Sequence, residues 1–415
     1  MHHVIIGGGP AGVNAGETLR KLDPSCEITL VSSESADPYS RMAIPYLLVE
    51  RIDETGTYLR KEPNHYADQG IALRHDRVNR LDPEQRTLQL ESGDSLSYDR
   101  CLIATGAIPL KPPIPGIDLP GVHNCWTLED TRAIVKRARP GSPVVLIGAG
   151  FIGCIIMESL VDRNVTLTVV EKGDRMVPRM LDAEAGSLLK RWCEEKGVQV
   201  LTESGVDAIE SDGSALRVHL DNGTTIPAEL VITAMGVRSN TAFLEGSGIE
   251  MDQGVLVNDH LQTNYPDVYA AGDVAQGRDF STGSYSVQAI QTTAVEHARI
   301  AASNMVGREQ VQHHGSINMN ILDTLGLISA SFGKWDGVPG GEQAVLLNRD
   351  SYDYLTLHFD EDRLIGASSL GHSQHLGVLR GLIRSQAPLG VWKDRLMQDP
   401  TRLMEAYLGS VQGVC

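Results

Sequence analysis

The chain has 415 residues, more than one ordinary hydrophobic core accommodates, and at about 100–200 residues per domain it divides into two or three. Hydrophobic residues make up 41% and charged residues 21%, a globular composition that excludes a disordered or fibrous chain. The net charge of −17 repels phosphate at long range, against nonspecific binding to nucleic acid or an anionic membrane, and no apolar run reaches the roughly 18–20 residues of a membrane span.

The first predicted strand ends at Ile6 and runs directly into Gly7-Gly8-Gly9-Pro10-Ala11-Gly12. A helical period follows through Ala15, Leu19 and Leu22, and Glu27–Val31 reads as a second strand. Strand, GxGxxG turn, helix and strand within about 30 residues is the context a dinucleotide motif requires. Gly7 permits the sharp turn, Gly9 lets backbone approach a pyrophosphate, and Gly12 lets helix and strand pack closely. The anion then lies at the positive end of a helix.

Farther on, Asp99–Thr105 reads as a strand that ends in a Thr-Gly turn at Gly106. The glycine unit then recurs. Val144–Ile147 leads into Gly148-Ala149-Gly150-Phe151-Ile152-Gly153, a helix, and a strand over Val165–Val170 that ends at Glu171. A carboxylate there can accept hydrogen bonds from both hydroxyls of an adenosine ribose and repels a 2′-phosphate, which favours NADH over NADPH. Lys172 and Arg175 follow closely and weigh the other way. In the first unit the equivalent place falls on Ser32, with Glu34 two residues on.

A second strand and turn over Leu230–Ala234 ends at Met235-Gly236, and a third at Val268–Ala271 is capped by Gly272-Asp273, where Asp273 can accept a hydrogen bond from a polyol chain. A helix is predicted from Gln288 to Met305. The last hundred residues change texture. Ile317–Leu322, Leu325–Phe332, Ala344–Leu347, Tyr352–Phe359 and Arg363–Leu370 read as strands, Leu376–Ser385 as a helix and Lys393–Leu408 as another.

A Gly-Asp turn that follows two glycine units and two Thr-Gly-like turns resembles the pattern of the two-dinucleotide flavoprotein reductases, the pyridine nucleotide–disulfide oxidoreductase superfamily. Pro38-Tyr39-Ser40-Arg41 resembles the PYxR stretch of its rubredoxin/ferredoxin reductase and nitrite reductase flavoprotein branch. The resemblance implies an α/β fold with two Rossmann-like domains and a C-terminal α/β domain. The FAD domain, over residues 1–112 and 243–312, is interrupted by an NAD(P)H domain over 113–242, and 315–415 form the interface-like third domain.

By the same resemblance Gly7, Gly9, Pro10, Ala11 and Gly12 hold the FAD pyrophosphate, Glu34 serves its ribose and Val78 meets its adenine through backbone. Thr105 and Gly106 line the flavin, Gly272 and Asp273 meet the ribityl chain, and Arg41, Tyr46 and His297 stand near the flavin. Gly148, Gly150, Phe151, Ile152, Gly153, Glu171 and Gly236 bind NADH.

Departures from the family narrow the chemistry. Met42 stands where relatives carry a redox thiol, and a thioether forms no thiolate. Tyr46 replaces a lysine, and Cys154-Ile155 stand where a glutamate would follow the second glycine turn. Both charges of a buried pair are thus missing together, which leaves neither unpaired. The six cysteines (Cys26, Cys101, Cys125, Cys154, Cys193 and Cys415) show no CxxC pair and no metal-ligand spacing, so no metal site is expected.

The function implied is hydride transfer from NADH to flavin N5, then electron delivery to a small iron–sulfur carrier of ferredoxin or rubredoxin type. Arg380, Arg384, Lys393 and Arg395 are candidates for a basic rim facing that carrier. Alternatives are an NADH oxidase or quinone reductase, and an NADH-responsive redox-sensing flavoprotein. The N-terminus enters its strand with no targeting pattern, so the expected location is cytoplasmic. A homodimer stays open.

Overall fold

The computed structural model describes residues 1–213, 215–307 and 310–410. In chain order it begins with β1 (His2–Ile6), α1 (Pro10–Leu22), β2 (Glu27–Ser32), β3 (Ile71–His75) and β4 (Arg100–Ile103). Next come β5 (Val122–Asn124), β6 (Pro143–Ile147), α2 (Phe151–Asp162), β7 (Thr166–Val170), α3 (Ala183–Glu195), β8 (Gln199–Leu201) and β9 (Leu230–Thr233). After β10 (Val268–Ala270) and α4 (Gln291–Val306) come five strands: β11 (Met319–Thr324), β12 (Leu327–Gly333), β13 (Glu342–Asn348), β14 (Asp353–Asp360) and β15 (Arg363–Leu370). Helices α5 (Leu376–Ser385), α6 (Val391–Gln398) and α7 (Leu403–Ser410) follow.

These elements gather into two compact units. The first comprises Met1–Leu47, Ile52–Ile108 and Val237–Ser316, and the second Leu48–Arg51, Pro109–Gly236 and Ile317–Cys415.

In the first unit a five-stranded parallel sheet has the order β10-β4-β1-β2-β3. Its strands are near-continuous apolar runs because both faces are buried: α1 and α4 pack together in its core, which also takes in Val78, Leu81, Leu88 and Leu90 from a three-stranded antiparallel sheet. Val4, Ile5, Leu30, Leu102 and Ile103 are fully buried. The order reverses at β1, where β2 lies on one side and β4 on the other, so a crevice opens at the carboxyl ends of these strands.

The second unit repeats the design, with a parallel sheet of order β8-β7-β6-β9-β5. The repetition extends to register. Ile6 pairs Val31 and Ile103 in one sheet, as Ile147 pairs Val170 and Thr233 in the other. Ser32 and Glu171 are therefore equivalent positions.

The C-terminal sheet is antiparallel, order β11-β12-β15-β14-β13. One face carries Phe332, Ala367 and Leu357 in a core shared with α5–α7. The alternate residues present a row of buried hydroxyls, Ser331, Ser368 and Thr356, with Thr356 Oγ1 and Ser368 Oγ 2.8 Å apart. The sheet is tied to the nucleotide half of its own unit. Trp192 Nε1 of α3 donates to the Thr324 and Leu325 carbonyls at 3.2 Å, and Arg349 donates twice to Glu184 at 2.7 and 2.8 Å. Tyr354 donates its hydroxyl to Asp182, the N-cap of α3.

The helix expected over Lys393–Leu408 is two helices. Pro400 lacks the N–H that a continuing helix needs, and Asp399 instead accepts from Thr401 N and Oγ1 at 3.1 and 2.6 Å. Leu396 and Leu403 are fully buried, while Met404 and Leu408 are exposed. Cys415 lies outside the described residues. Phe332→Ala should lower the unfolding free energy of the second unit by about 3–5 kcal/mol, read from urea denaturation.

Candidate functional site: two glycine cradles

Both glycine turns have the same three-part geometry. Gly7 has φ +117° and Gly148 has φ +105°, conformations that L side chains rarely adopt. A Cβ on Gly7 would stand 2.2 Å from the Ala104 carbonyl oxygen that ends β4, and one on Gly148 would stand 2.5 Å from that of Ala234. Gly9 and Gly150 are the N-caps of α1 and α2, and an added Cβ at either meets nothing within 4 Å. Gly12 and Gly153 are the reverse: a Cβ would stand 1.9 Å from Gly7 O and 2.1 Å from Gly148 O.

So the third glycine brings helix against strand, and the second leaves an open face at a helix N-terminus. Pro10 occupies the first turn of α1, where its missing N–H costs nothing, while Phe151 and Ile152 open α2. Open space, unused N–H groups and a positive helix end together fit a pyrophosphate.

Around the first cradle the polar groups converge within the first unit. Pro38 lies over the turn, its Cγ 3.4 Å from a Cβ built on Gly8. Glu34 receives Arg41 Nη2 at 2.7 Å on Oε1 and the Tyr39 hydroxyl at 2.6 Å on Oε2, and Arg41 Nη1 donates to the Tyr39 oxygen at 2.9 Å. Gly272 has φ +79° and packs against Ala11 and Ala294, which brings the Gly-Asp turn and α4 onto the N-terminus of α1. Burial raises the Asp273 carboxyl to about 6, with the Arg41 charge pulling the other way. Thr105 Oγ1 donates to Asn240 O at 2.8 Å and Gly106 accepts from Asn240 N at 2.9 Å, so this turn is latched from the same unit. Val78 is buried and opens the strand Val78–Asp82.

Two residues expected near the flavin sit differently from those groups. Tyr46 lies on the short helix Ile44–Leu48 and is 53% exposed. His297 lies in α4, one turn beyond Ala294, and is buried with neither ring nitrogen hydrogen-bonded. Burial pushes its ring down to about 3, the neighbouring His313 adding to the effect at a ring separation of 4.6 Å. Met42 is exposed in the three-residue turn Arg41–Ala43.

At the second cradle Glu171 accepts Ala149 N at 2.7 Å on Oε2 and Gly173 N at 2.7 Å on Oε1. The carboxylate is aimed along the turn, with lone pairs left for ribose hydroxyls. Arg175 is turned away: it donates to the Leu181 carbonyl at 3.1 Å and pairs with Asp174 at 2.8 Å. Gly236 has φ +101° and its carbonyl accepts Leu110 N at 2.9 Å.

The five described cysteines are all buried. Burial holds every thiol above its ordinary range, Cys125 and Cys193 at about 12. None is poised as a thiolate. Among the described residues no cluster of three metal-ligating side chains occurs, and no helix is long and apolar enough to cross a membrane. Tyr39, Pro38 and Asn240 were not singled out by sequence. The first two lie inside the PYxR stretch, where only the arginine drew attention, and Asn240 carries no local signal.

Two α/β sheets, each ending in a cradle for a pyrophosphate, define a protein that binds two dinucleotides. The family model for pyridine nucleotide-disulphide oxidoreductases matches residues 1–303, and the chain belongs to that family. FAD and NAD(H) are the cofactors of this oxidoreductase family. The chain is 30% identical over 401 residues to the NADH-dependent phenylglyoxylate dehydrogenase subunit epsilon of Aromatoleum evansii, covering 96% of this chain and 95% of the relative. It is 32% identical over 306 residues, 73% of this chain and 74% of the relative, to the biphenyl dioxygenase system ferredoxin–NAD(+) reductase component of Paraburkholderia xenovorans strain LB400. Its fold matches the reductase in a covalent putidaredoxin reductase–putidaredoxin complex with TM-score 0.90 and 23% identity, over 99% of this chain and 98% of that one.

The paired glycines predict opposite phenotypes. Gly150→Ala should keep its melting temperature but bind NADH at least about 10-fold more weakly, because the methyl fills the open face. Gly153→Ala should melt several degrees lower, because backbone must move. Asp273 predicts a pH effect. Its folded pKa lies above the ordinary 3.8, so its stabilising contribution is full below about 4 and is lost as pH rises through about 6. Asp273→Asn apoprotein should therefore be more stable than wild type at pH 7.5, by at most roughly 3 kcal/mol, and equal to it near pH 3.5.

Proposed function

We propose that the first cradle, with Glu34, Arg41 and Asp273, holds FAD, that the second, with Glu171, holds NADH, and that electrons leave to a protein carrier of iron–sulfur type. FAD supplies the step from a two-electron hydride donor to acceptors taking one electron at a time. The chain's residues bind and orient. The N-termini of α1 and α2 fix the two pyrophosphates, and Glu171 sets the adenosine end so that the nicotinamide reaches one defined place. With Arg175 paired to Asp174 and Leu181, a 2′-phosphate would meet Glu171 without that counter-charge, which favours NADH over NADPH.

The observation that carries this reading is the pair of identical cradles in a chain whose described thiols are all buried and held protonated. None of the described thiols is poised to relay electrons, so bound FAD would pass them on without one. Likeness to a ferredoxin–NAD(+) reductase component over three quarters of both chains supports a carrier protein as acceptor. The full-length likeness to a subunit of an NADH-dependent dehydrogenase supports a protein partner for the whole chain, its C-terminal sheet included. In this reading residues 1–112 and 243–312 serve FAD, 113–242 serve NADH, and 315–415 serve assembly, a homodimer included.

The test is anaerobic mixing with NADH, then with acceptors. The yellow protein should bleach with NADH, reoxidise slowly in air and rapidly with an iron–sulfur carrier, and keep its activity within about twofold after native thiol alkylation. Fast reoxidation in air makes it an oxidase. Bleaching with negligible turnover toward every acceptor makes it a sensor, and absence of bleaching removes the reading.

A further inference from the structure

The segment between β2 and the short helix Ile44–Leu48 is held more firmly than a connecting loop requires. Ser40 N donates to Thr57 O and Leu59 N to Pro38 O, both at 2.9 Å, so Tyr39 is paired with Tyr58 as in a two-residue antiparallel ladder. Its side chain is 6% exposed. From this fixed point the hydroxyl donates to Glu34 Oε2 at 2.6 Å while accepting Arg41 Nη1 at 2.9 Å. Arg41 Nη2 closes the ring on Glu34 Oε1 at 2.7 Å, its guanidinium 5.4 Å from the centre of the Tyr39 ring. The Glu34 backbone is anchored separately, its carbonyl accepting His75 Nδ1 at 2.8 Å.

Each bond in this ring has a structural reason to be more than incidental. A carboxylate on a loop ordinarily samples several rotamers, and ordering it when a ligand arrives weakens binding. Here each of the two Glu34 oxygens is committed to one charge-assisted donor, and each keeps a lone pair free. The donors differ in kind. Arg41 is 36% exposed at its side chain and ends a long flexible stem, whereas Tyr39 is buried and rigid. Of the two, only the tyrosine can define where the carboxylate stands before a ligand is present. Pro38, its neighbour, lies over the glycine turn at 3.4 Å from a Cβ built on Gly8, so the ring is registered to the cradle.

We infer that Tyr39 is a positioning residue for FAD: its hydroxyl presets Glu34 to accept the adenosine ribose hydroxyls and holds Arg41 beside the same carboxylate. This rests on the reading that the first cradle binds FAD through Glu34. Tyr39 itself need not touch the cofactor.

The experiment measures FAD release from the full-length holoprotein, followed by the rise of free flavin fluorescence on dilution, for Tyr39→Phe, Glu34→Gln and the double variant. Phenylalanine keeps the ring and the burial and removes only the hydroxyl. Tyr39→Phe should release FAD roughly 3- to 10-fold faster than wild type, the net effect of one ordinary hydrogen bond. Glu34→Gln should release it faster again, and the double variant no faster than Glu34→Gln alone, because the hydroxyl acts through that carboxylate. Independent structural losses would instead multiply their rates. Release from Tyr39→Phe at the wild-type rate, or multiplied rates in the double variant, overturns the inference and leaves the proposed function standing. A wild-type protein that takes up no FAD overturns both.

Discussion

The contact on which the rest of the structure depends is the approach of a helix to the turn that precedes it, Gly12 against Gly7 O and Gly153 against Gly148 O. At those distances no side chain fits, so each helix starts close to its strand and aims its first N–H groups across the crevice. Everything polar in the first site is arranged about that fixed point. Gly272 and Ala294 pack on Ala11, Pro38 covers Gly8, and the ends of β1 and β4 meet at Gly7 and Ala104. Close packing here is what turns a generic α/β sheet into an anion site with a defined direction.

The two cradles share backbone and differ in charge. The second places Glu171 directly after β7, and two backbone N–H groups hold it. The first has the smaller Ser32 at that position, and its carboxylate, Glu34, stands in the following loop, held by the side chains of Tyr39 and Arg41. Backbone donors come with the fold. Side-chain donors are chosen by sequence, and they can be tuned or lost one residue at a time.

That difference also explains what could be read beforehand. Strand–glycine–helix units have a local signature, so β1, β2, β6 and β7, both turns and the close-packed Gly7, Gly12, Gly148 and Gly153 were legible from short windows, while β3, β5 and β8 were not, and the family match agrees with the fold expected. Even β15 and α5 fall on the expected residues. Tertiary partners have no such signature. Nothing near Thr105 announces Asn240, and nothing near Arg175 shows that its guanidinium turns toward Leu181. His297 reads as a polar helix residue until β-strand and loop neighbours enclose it beside His313. The break at Asp399-Pro400 was local and readable, but the apolar spacing across it resembled one helix.

The row of Ser331, Ser368 and Thr356 lies on the C-terminal sheet. The sheet that carries the row is bound to the nucleotide half of the same unit at other points, Trp192 on the Thr324 carbonyl, Tyr354 on Asp182 and Arg349 on Glu184. Grafting that terminal module elsewhere would remove all three partners at once. A division of the chain near residue 317 would sever these ties, whereas one that keeps α3 with the sheet preserves them.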